Sequence, residues 1–203
     1  MGLRPSILVA VPTYEGIAVE TAESLMAMIV EAARVARVTP AIVAGYDVKK
    51  NRNRIASAAR LSDFVLMVDS DVVVPKNLLD YLLEPQADIV LAPYPRKNTS
   101  RGRSELFRLG TPNYTDENNI PIDELRSTGG RIPVKGGGLG CALIRSAVFS
   151  RLEYPWFDFT QDSGGNWLSE DFYFCGKARE AGIDIQADCR VVCGHVGKVV
   201  QYG

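Results

Sequence analysis

Two acidic side chains one residue apart, Asp69 and Asp71 with Ser70 between them, directly follow the apolar run Phe64-Val65-Leu66-Met67-Val68 and precede Val72-Val73-Val74, which stops at Pro75. A run of that length and composition reads as a buried strand. Side chains at i and i+2 of a strand share a face, so the two carboxylates are expected to converge at the strand's carboxyl end. Like charges brought that close shift each other's pKa or take up a counter-cation, and hard oxygen donors suit Mg²⁺ or Mn²⁺. The chemistry implied is a metal-phosphate site.

A second acidic pair follows much later. Ser169-Glu170-Asp171 precedes Phe172 to Ala181, a segment expected to be helical and ended by Gly182. Ser at the cap and acids in the first turn offset the helix dipole, so capping alone accounts for them. If the helix start opens on the same crevice as Asp69 and Asp71, a carboxylate there can also take the proton of an incoming hydroxyl. His195, the one histidine of the chain, stands between Gly194 and Val196-Gly197 after an apolar stretch. A lone histidine is most often a satisfied core or surface residue, but this setting also suits a loop that carries a ligand. Cys189 and Cys193 lie close to it, without the second closely spaced pair that a structural zinc site requires, and the four cysteines read as reduced core thiols.

The elements that must position these groups alternate strand and helix. Ile7–Val11 is expected as a strand broken at Pro12, about Val19 to Val38 as a helix, Ala41–Tyr46 as a second strand, Arg52–Leu61 as a helix and Phe64–Val68 as a third strand. Crossovers of this kind imply a parallel sheet, and ligands of open α/β sheets sit beyond the carboxyl ends of the strands. That rule collects Pro12-Thr13-Tyr14-Glu15, Asp47 and Asp69-Ser70-Asp71 at one crevice. A helix at Lys76–Leu83 and a strand at Asp88–Ala92 continue the pattern. From Pro95 to Lys135 the chain is polar and rich in turn formers, an expected excursion of hairpins and loops in which Lys97, Arg101, Arg103 and Arg108 form the most basic stretch, solvated or serving as a lid. Gly136-Gly137-Gly138-Leu139-Gly140 opens a strand at Cys141–Ile144. Those glycines permit positive φ and close approach to a ligand, but no Lys-Ser/Thr follows to make a P-loop. Ile183–Ala187 is expected as a last strand.

Composition bounds the rest. A chain of 203 residues with 46% hydrophobic content suits one domain around one core, 1–203. With 23 basic and 24 acidic residues, nucleic acid is not an expected partner. No apolar stretch approaches the roughly 20 residues that cross a bilayer, and the start does not read as a signal peptide, so no membrane span and a cytoplasmic location are expected. A homo-oligomer is left open.

In their order along the chain these residues are similar to a GT-A fold glycosyltransferase, most like the inverting family 2 group. The resemblance runs through Val11-Pro12-Thr13-Tyr14-Glu15, Asp47, Asn51-Arg52-Asn53-Arg54, Val68-Asp69-Ser70-Asp71, the glycines leading into Cys141-Ala142-Leu143-Ile144-Arg145, Glu170-Asp171 and His195. It implies an α/β protein with a mostly parallel central sheet flanked by helices, a single GT-A domain with about 1–94 as its nucleotide-binding half and about 95–203 as its acceptor and catalytic half. Its activity would be a metal-dependent transfer of a sugar, of hexosyltransferase type, from a nucleotide-diphosphate sugar, with UDP the commonest carrier, to an acceptor hydroxyl. By that resemblance Pro12, Thr13, Tyr14 and Glu15 line the base and ribose, Asp47 contacts the base, and Arg52 or Arg54 lies near the base or phosphates. Asp69 serves ribose and metal, with Ser70 beside it; Asp71 ligates Mn²⁺ or Mg²⁺; His195 is a third protein ligand, and Lys198 neutralises the diphosphate. Asp171, or else Glu170, is the base, and one or two of Trp156, Phe157, Phe159 and Trp167 stack on sugar faces. Three other readings share part of the pattern: a retaining GT-A enzyme, a sugar-phosphate nucleotidyltransferase, whose Gly-rich basic loop after the first strand is missing here, and a non-catalytic nucleotide-sugar-binding module.

Overall fold

The computed structural model describes residues 4–84, 87–97, 102–162 and 164–197. Its centre is a nine-stranded sheet. Strands β1 (Ser6–Thr13), β2 (Arg37–Ala44) and β3 (Phe64–Val68) are mutually parallel, with α1 (Val19–Ala32) and α2 (Val48–Ala59) as their crossovers. A short β4 (Val72–Val73) and α3 (Leu78–Leu82) lead to β5 (Ile89–Leu91). Then come β6 (Arg103–Arg108), β7 (Asn119–Pro121), α4 (Ile122–Thr128), β8 (Arg131–Gly137), β9 (Cys141–Arg145) and α5 (Val148–Arg151). The chain ends with the hairpin β10 (Thr160–Gln161) and β11 (Trp167–Leu168), α6 (Glu170–Glu180), β12 (Ile185–Asp188) and β13 (Gly194–His195). The sheet order is β2-β1-β3-β9-β5-β12-β8-β6-β7. β9 inserts antiparallel between β3 and β5, and β5 and β12 are parallel again. The sheet is therefore mixed: β2, β1, β3, β5, β12 and β6 run one way, β9, β8 and β7 the other.

Alternation along the central strands divides the core in two. Leu8, Ala10, Val65 and Met67 pack with α2 and α6, whereas Ile7, Val9, Val11, Leu66 and Val68 pack with α1 and α3. Every residue of β3 from Val65 to Val68 is fully buried, as its unbroken apolar run requires. α1 turns Leu25, Met28 and Ala32 inward at helical spacing. It ends at Ala32 rather than Val38 because the β-branched Val38 and Thr39 with Pro40 join the edge strand β2, where a missing N–H is tolerated. β1 likewise runs through Pro12, which lies beyond the last β1–β3 pair, Ala10 with Met67. α2 starts before Arg52 because Asp47 caps it, its side chain accepting from the Lys50 N–H.

The 95–135 stretch departs most from expectation. The expected excursion of hairpins and loops is instead part of the main sheet: it supplies β6, β7 and most of β8 to one end of it, with α4 between β7 and β8. Val191 and Val192 form no strand; the short β13 pairs instead with β4. Among the described residues no helix is long and apolar enough to cross a membrane.

Candidate functional site

The strand that carries the acidic motif ends at Val68, so Asp69-Ser70-Asp71 is a turn and not the end of a strand. Backbone bonds fix that turn from four sides. The Asp69 N–H donates to Gly140 O at 2.9 Å, the Val72 N–H to Asp69 O at 3.1 Å, the Ala18 N–H at the start of α1 to Ser70 O at 2.8 Å, and the Val196 N–H to Asp71 O at 2.8 Å. The β4–β13 pair, His195 opposite Val72, brings the histidine beside the motif.

Two adjoining crevices meet at the turn. One, of about 490 Å³, is lined by Pro12, Thr13, Tyr14, Gly45, Tyr46, Val48, Asn51, Arg52, Ser70 and Glu170. The other, of about 500 Å³, is lined by Tyr94, Arg96, Lys97, Glu105, Gly138, Phe172 and His195. Asp69, Asp71, Ser169 and Asp171 line both. The motif and the start of α6 thus form the threshold between two spaces, the arrangement needed where one ligand hands a group to another.

The electrostatics centre on Arg52, whose side chain is 1% exposed. Its Nη2 donates to Asp69 Oδ1 at 2.9 Å and its Nε to Glu170 Oε1 at 3.2 Å, while the same Nε stands 3.3 Å from Asp171 Oδ1. Nη1 reaches Leu139 O at 3.5 Å. Burial works against the charged guanidinium, but Asp171, Asp69 and Glu170 more than offset it and raise its pKa. One cation among three carboxylates leaves excess negative charge. Asp171 shows the consequence: burial, with Glu170 and Asp69 adding to it against the pull of Arg52 and the Leu139 N–H, pushes its carboxyl up to about 7. Asp171 Oδ1 is buried with no hydrogen-bond partner.

Asp71 sits in the opposite condition. It pairs with the ammonium of Lys97 through Oδ2, and its Oδ1 lies 3.4 Å from His195 Nε2. His195 first, then Lys97, hold its carboxyl down at about 2 despite partial burial. His195 Nδ1 is 2.7 Å from Pro95 O, and since a carbonyl can only accept, Nδ1 carries the proton. That leaves Nε2 aimed at a carboxylate, which is stable only with a proton or another cation between them, and the His195 pKa is accordingly raised despite burial. A ring whose far nitrogen is held by a backbone carbonyl while the near one faces a carboxylate is the usual setting of a metal-binding imidazole. Asp71 and His195 therefore fit a divalent ion as a two-donor set, oxygen and nitrogen. Asp69, also expected to serve the metal, turns its Oδ1 to Arg52 instead, because a buried guanidinium takes the nearest carboxylate. Among the described residues no three His, Cys, Asp or Glu side chains converge to hold an ion.

The other expected residues divide. Pro12, Thr13, Tyr14, Arg52, Ser70 and Glu170 line the first crevice, whereas Glu15 is exposed beyond it. Asp47 does not line it either: its carboxylate is engaged in capping α2, and its neighbours Tyr46 and Val48 face the space instead. Arg54 belongs to a separate pocket with Lys50, Asn53, Ser57 and Tyr154, because two positions along a helix from Arg52 point elsewhere. Lys198 and Arg101 lie outside the described residues. Trp156 and Phe157 are core residues, 6% and 0% exposed, while Phe159 and Trp167 are open at 46% and 74%. The four cysteines are free and buried.

Three contributors escape the sequence reading. Asn51 donates through its amide to Thr13 O at 3.2 Å and Gly45 O at 3.0 Å, clamping the ends of β1 and β2 together; a Cβ on Gly45 would stand 2.6 Å from its Oδ1. Tyr46 lies edge-on to Tyr14, centroids 5.0 Å apart, at the mouth of the first crevice. Tyr94, fully encased, accepts from the Gly140 N–H at 3.1 Å. Tyr94 also explains much of the glycine run. Added Cβ atoms would stand 2.2 Å from its hydroxyl at Gly138 and 2.7 Å at Gly140, and no glycine of 136–140 has positive φ. These glycines make room for protein rather than for ligand.

Comparisons with known proteins identify the fold and the family. The crystal structure of the A197 protein from STIV superposes with a TM-score of 0.62 at 17% identity, covering 97% of this chain and 87% of that one. The crystal structure of GalNAc-T7 with UDP, GalNAc and Mn²⁺ superposes with a TM-score of 0.54 at 12% identity, covering 98% of this chain and 45% of that one. At such identities the likeness is one of fold, and the fold is that of the GT-A glycosyltransferases. No curated protein matches the chain at a significant level. The profile of the family described as glycosyltransferase like family 2 matches residues 4–198, nearly the whole sequence, and the chain belongs to that family.

Proposed function

We propose that this protein transfers a glycosyl group from a nucleoside-diphosphate sugar to an acceptor hydroxyl, with a divalent cation and with inversion at the anomeric carbon. The observation that carries the reading is Asp171: a carboxylate raised to about 7, at the start of α6, on the threshold shared by the two crevices. A base near neutrality with access to both spaces is what deprotonation of an acceptor by a single displacement needs.

In this reading the first crevice takes the nucleotide, with Tyr14 and Tyr46 at its aromatic mouth and Thr13 and Asn51 holding its floor. The second takes the acceptor. Asp71 and His195 hold the cation, with Asp69 close by, and a bound Mn²⁺ or Mg²⁺ supplies neutralisation of the diphosphate leaving group. Asp171 accepts the hydroxyl proton as the acceptor oxygen bonds to the anomeric carbon and the bond to the diphosphate oxygen breaks. Arg52 keeps the Asp171 carboxylate oriented, and the Leu139 N–H fixes its second oxygen. No covalent glycosyl-enzyme is required. UDP-sugars are the donors to try first.

Incubation with UDP-, GDP- and dTDP-sugars, Mn²⁺ and a range of hydroxyl acceptors tests the proposal. The expected result is release of nucleoside diphosphate and a product of opposite anomeric configuration by NMR. Pyrophosphate formation from a nucleoside triphosphate and a sugar phosphate would instead identify a nucleotidyltransferase, and binding without release a non-catalytic module.

A further inference from the structure

Lys97 approaches the acidic motif from a segment that also builds the site. Pro95 O, two residues before it, receives the His195 Nδ1 proton, Pro95 bridges to Ser104, and the Arg96 N–H donates to Arg103 O at 2.7 Å. The backbone on the N-terminal side of Lys97 is therefore tied down to β6 and to the histidine, and the lysine side chain is a flexible arm on a fixed mount. Its ammonium rests on Asp71 Oδ2, and the arm is 38% exposed, so it is free to swing. Asp71 thus has a nitrogen neighbour at each oxygen, the Lys97 ammonium at Oδ2 and the His195 imidazole at Oδ1.

Resting on the metal-dependent reading above, we infer that Lys97 and the divalent cation are alternative partners of Asp71, and that the lysine displaced by the cation becomes a clamp on the donor's diphosphate. Two cations on one small carboxylate repel each other, so a divalent ion taken up by Asp71 must move the ammonium aside. The arm then has lost its anion while its mount stays in place in the second crevice, which Asp69, Asp71 and Asp171 also line. The strongest anion delivered to that spot is the diphosphate that the same cation binds, and an ammonium is a suitable point charge for it. The consequence is linkage. A cation alone meets competition from Lys97, whereas a cation arriving with a nucleoside diphosphate gives the displaced lysine a new partner, so each ligand strengthens the other.

The test is binding, with no turnover needed. Mn²⁺ affinity is read by the EPR signal of the free ion, and UDP and GDP affinity by calorimetry in saturating Mn²⁺, for wild type, Lys97→Met and Lys97→Arg, with Asp71→Asn as control. Lys97→Met is expected to bind Mn²⁺ alone about tenfold more tightly than wild type and the nucleoside diphosphate about tenfold more weakly, a crossover within the usual range of coupling energies. Lys97→Arg, which keeps the charge, returns both affinities toward wild type. Mn²⁺ affinity that is unchanged or weaker in Lys97→Met overturns the competition, and unchanged nucleotide affinity overturns the clamp. If wild type binds Mn²⁺ and Asp71→Asn does not, the metal reading stands whatever Lys97 does; if neither binds it with or without nucleotide, both readings fall.

Discussion

The Nε of Arg52 stands 3.3 Å from Oδ1 of Asp171, so the guanidinium buried under the first crevice is also what steadies the carboxylate at the head of α6. The same group holds Asp69 and Glu170. The acidic turn and the start of α6 therefore share one cation, and a disturbance at either carboxylate is felt at the other.

Removing that cation leaves the buried Glu170, with Asp171 and the more exposed Asp69, without their shared counter-charge. Breaking a buried ion cluster from one side costs about 3–5 kcal/mol, because the remaining charges stay buried and uncompensated. Arg52→Met is expected to lose that much in urea unfolding. Arg52→Lys should recover little, since a point charge cannot reach Asp69, Glu170 and Leu139 O at once. A fully stable Arg52→Met would show that the cluster is not what holds the site together.

In the proposed reading Asp171 links catalysis to pH. As the base it must be ionised, so kcat/KM of the wild type should rise with pH through about 7. Asp171→Asn should lower transfer by about 10²–10⁴-fold and leave nucleotide and Mn²⁺ binding intact. The same carboxyl has a stability signature. Its folded pKa lies above the ordinary 3.8, so between about 4 and about 7 the folded state binds more protons than the unfolded one and stability falls as pH rises. Asn at this position cannot titrate. The difference in Tm between Asp171→Asn and wild type should therefore shift in favour of the variant from pH 5 to pH 8, and a constant difference would mean that Asp171 is not held protonated by its surroundings.

His195 is the single histidine of the chain, so one imidazole signal reports the metal corner. Its pKa in an NMR titration should lie above the ordinary 6.5, and Asp71→Asn should bring it down. The sign for stability follows: the His195–Asp71 contact is fully stabilising below the ordinary histidine value and fades as pH rises through the raised one, while the contribution of Asp71 is complete above 3.8 and is lost as pH falls from there through about 2. Mg²⁺ should suppress the titration altogether if Nε2 is a ligand. An unaltered titration in saturating Mg²⁺ and UDP would remove His195 from the metal set. Asp71→Ala, measured by calorimetry, should abolish metal-dependent nucleotide binding.

How much of this is legible in the sequence depends on whether an interaction is local. β3 is legible because Phe64–Val68 is apolar throughout, and a strand buried on both faces can be nothing else; the acidic turn after it and the acidic start of α6 are legible because they interrupt apolar pattern with charge. Arg52 is not legible as a hub. It is one basic residue in the polar run Asn51-Arg52-Asn53-Arg54, and only the fold shows that it points inward while Arg54 points out. β6 and β8 are hidden for a related reason: their pairing joins Leu106 to Gly137 across β7 and α4, with a register shift, and neither strand has a clean alternation. The glycine run gives the wrong hint, because glycine signals close approach without saying what approaches.

That last ambiguity can be resolved by mutation. If the glycines serve a ligand, Gly138→Ala should leave stability nearly untouched and weaken donor binding. The structure argues otherwise, since a Cβ at this position would stand 2.2 Å from the Tyr94 hydroxyl, and that tyrosine is only 4% exposed. Overpacking of this kind costs about 1–3 kcal/mol. Tyr94→Phe removes the clashing oxygen and also the acceptor for the Gly140 N–H, so alone it destabilises by leaving that buried donor unpaired. In combination the two losses overlap, because the oxygen that Gly138→Ala strikes is already gone. A double-mutant cycle should therefore give a coupling of about 0.5–3 kcal/mol, with Gly138→Ala/Tyr94→Phe more stable than the sum of the single changes predicts. Strict additivity would mean that alanine at 138 is accommodated without touching Tyr94, and the packing account of these glycines would fail at its closest contact.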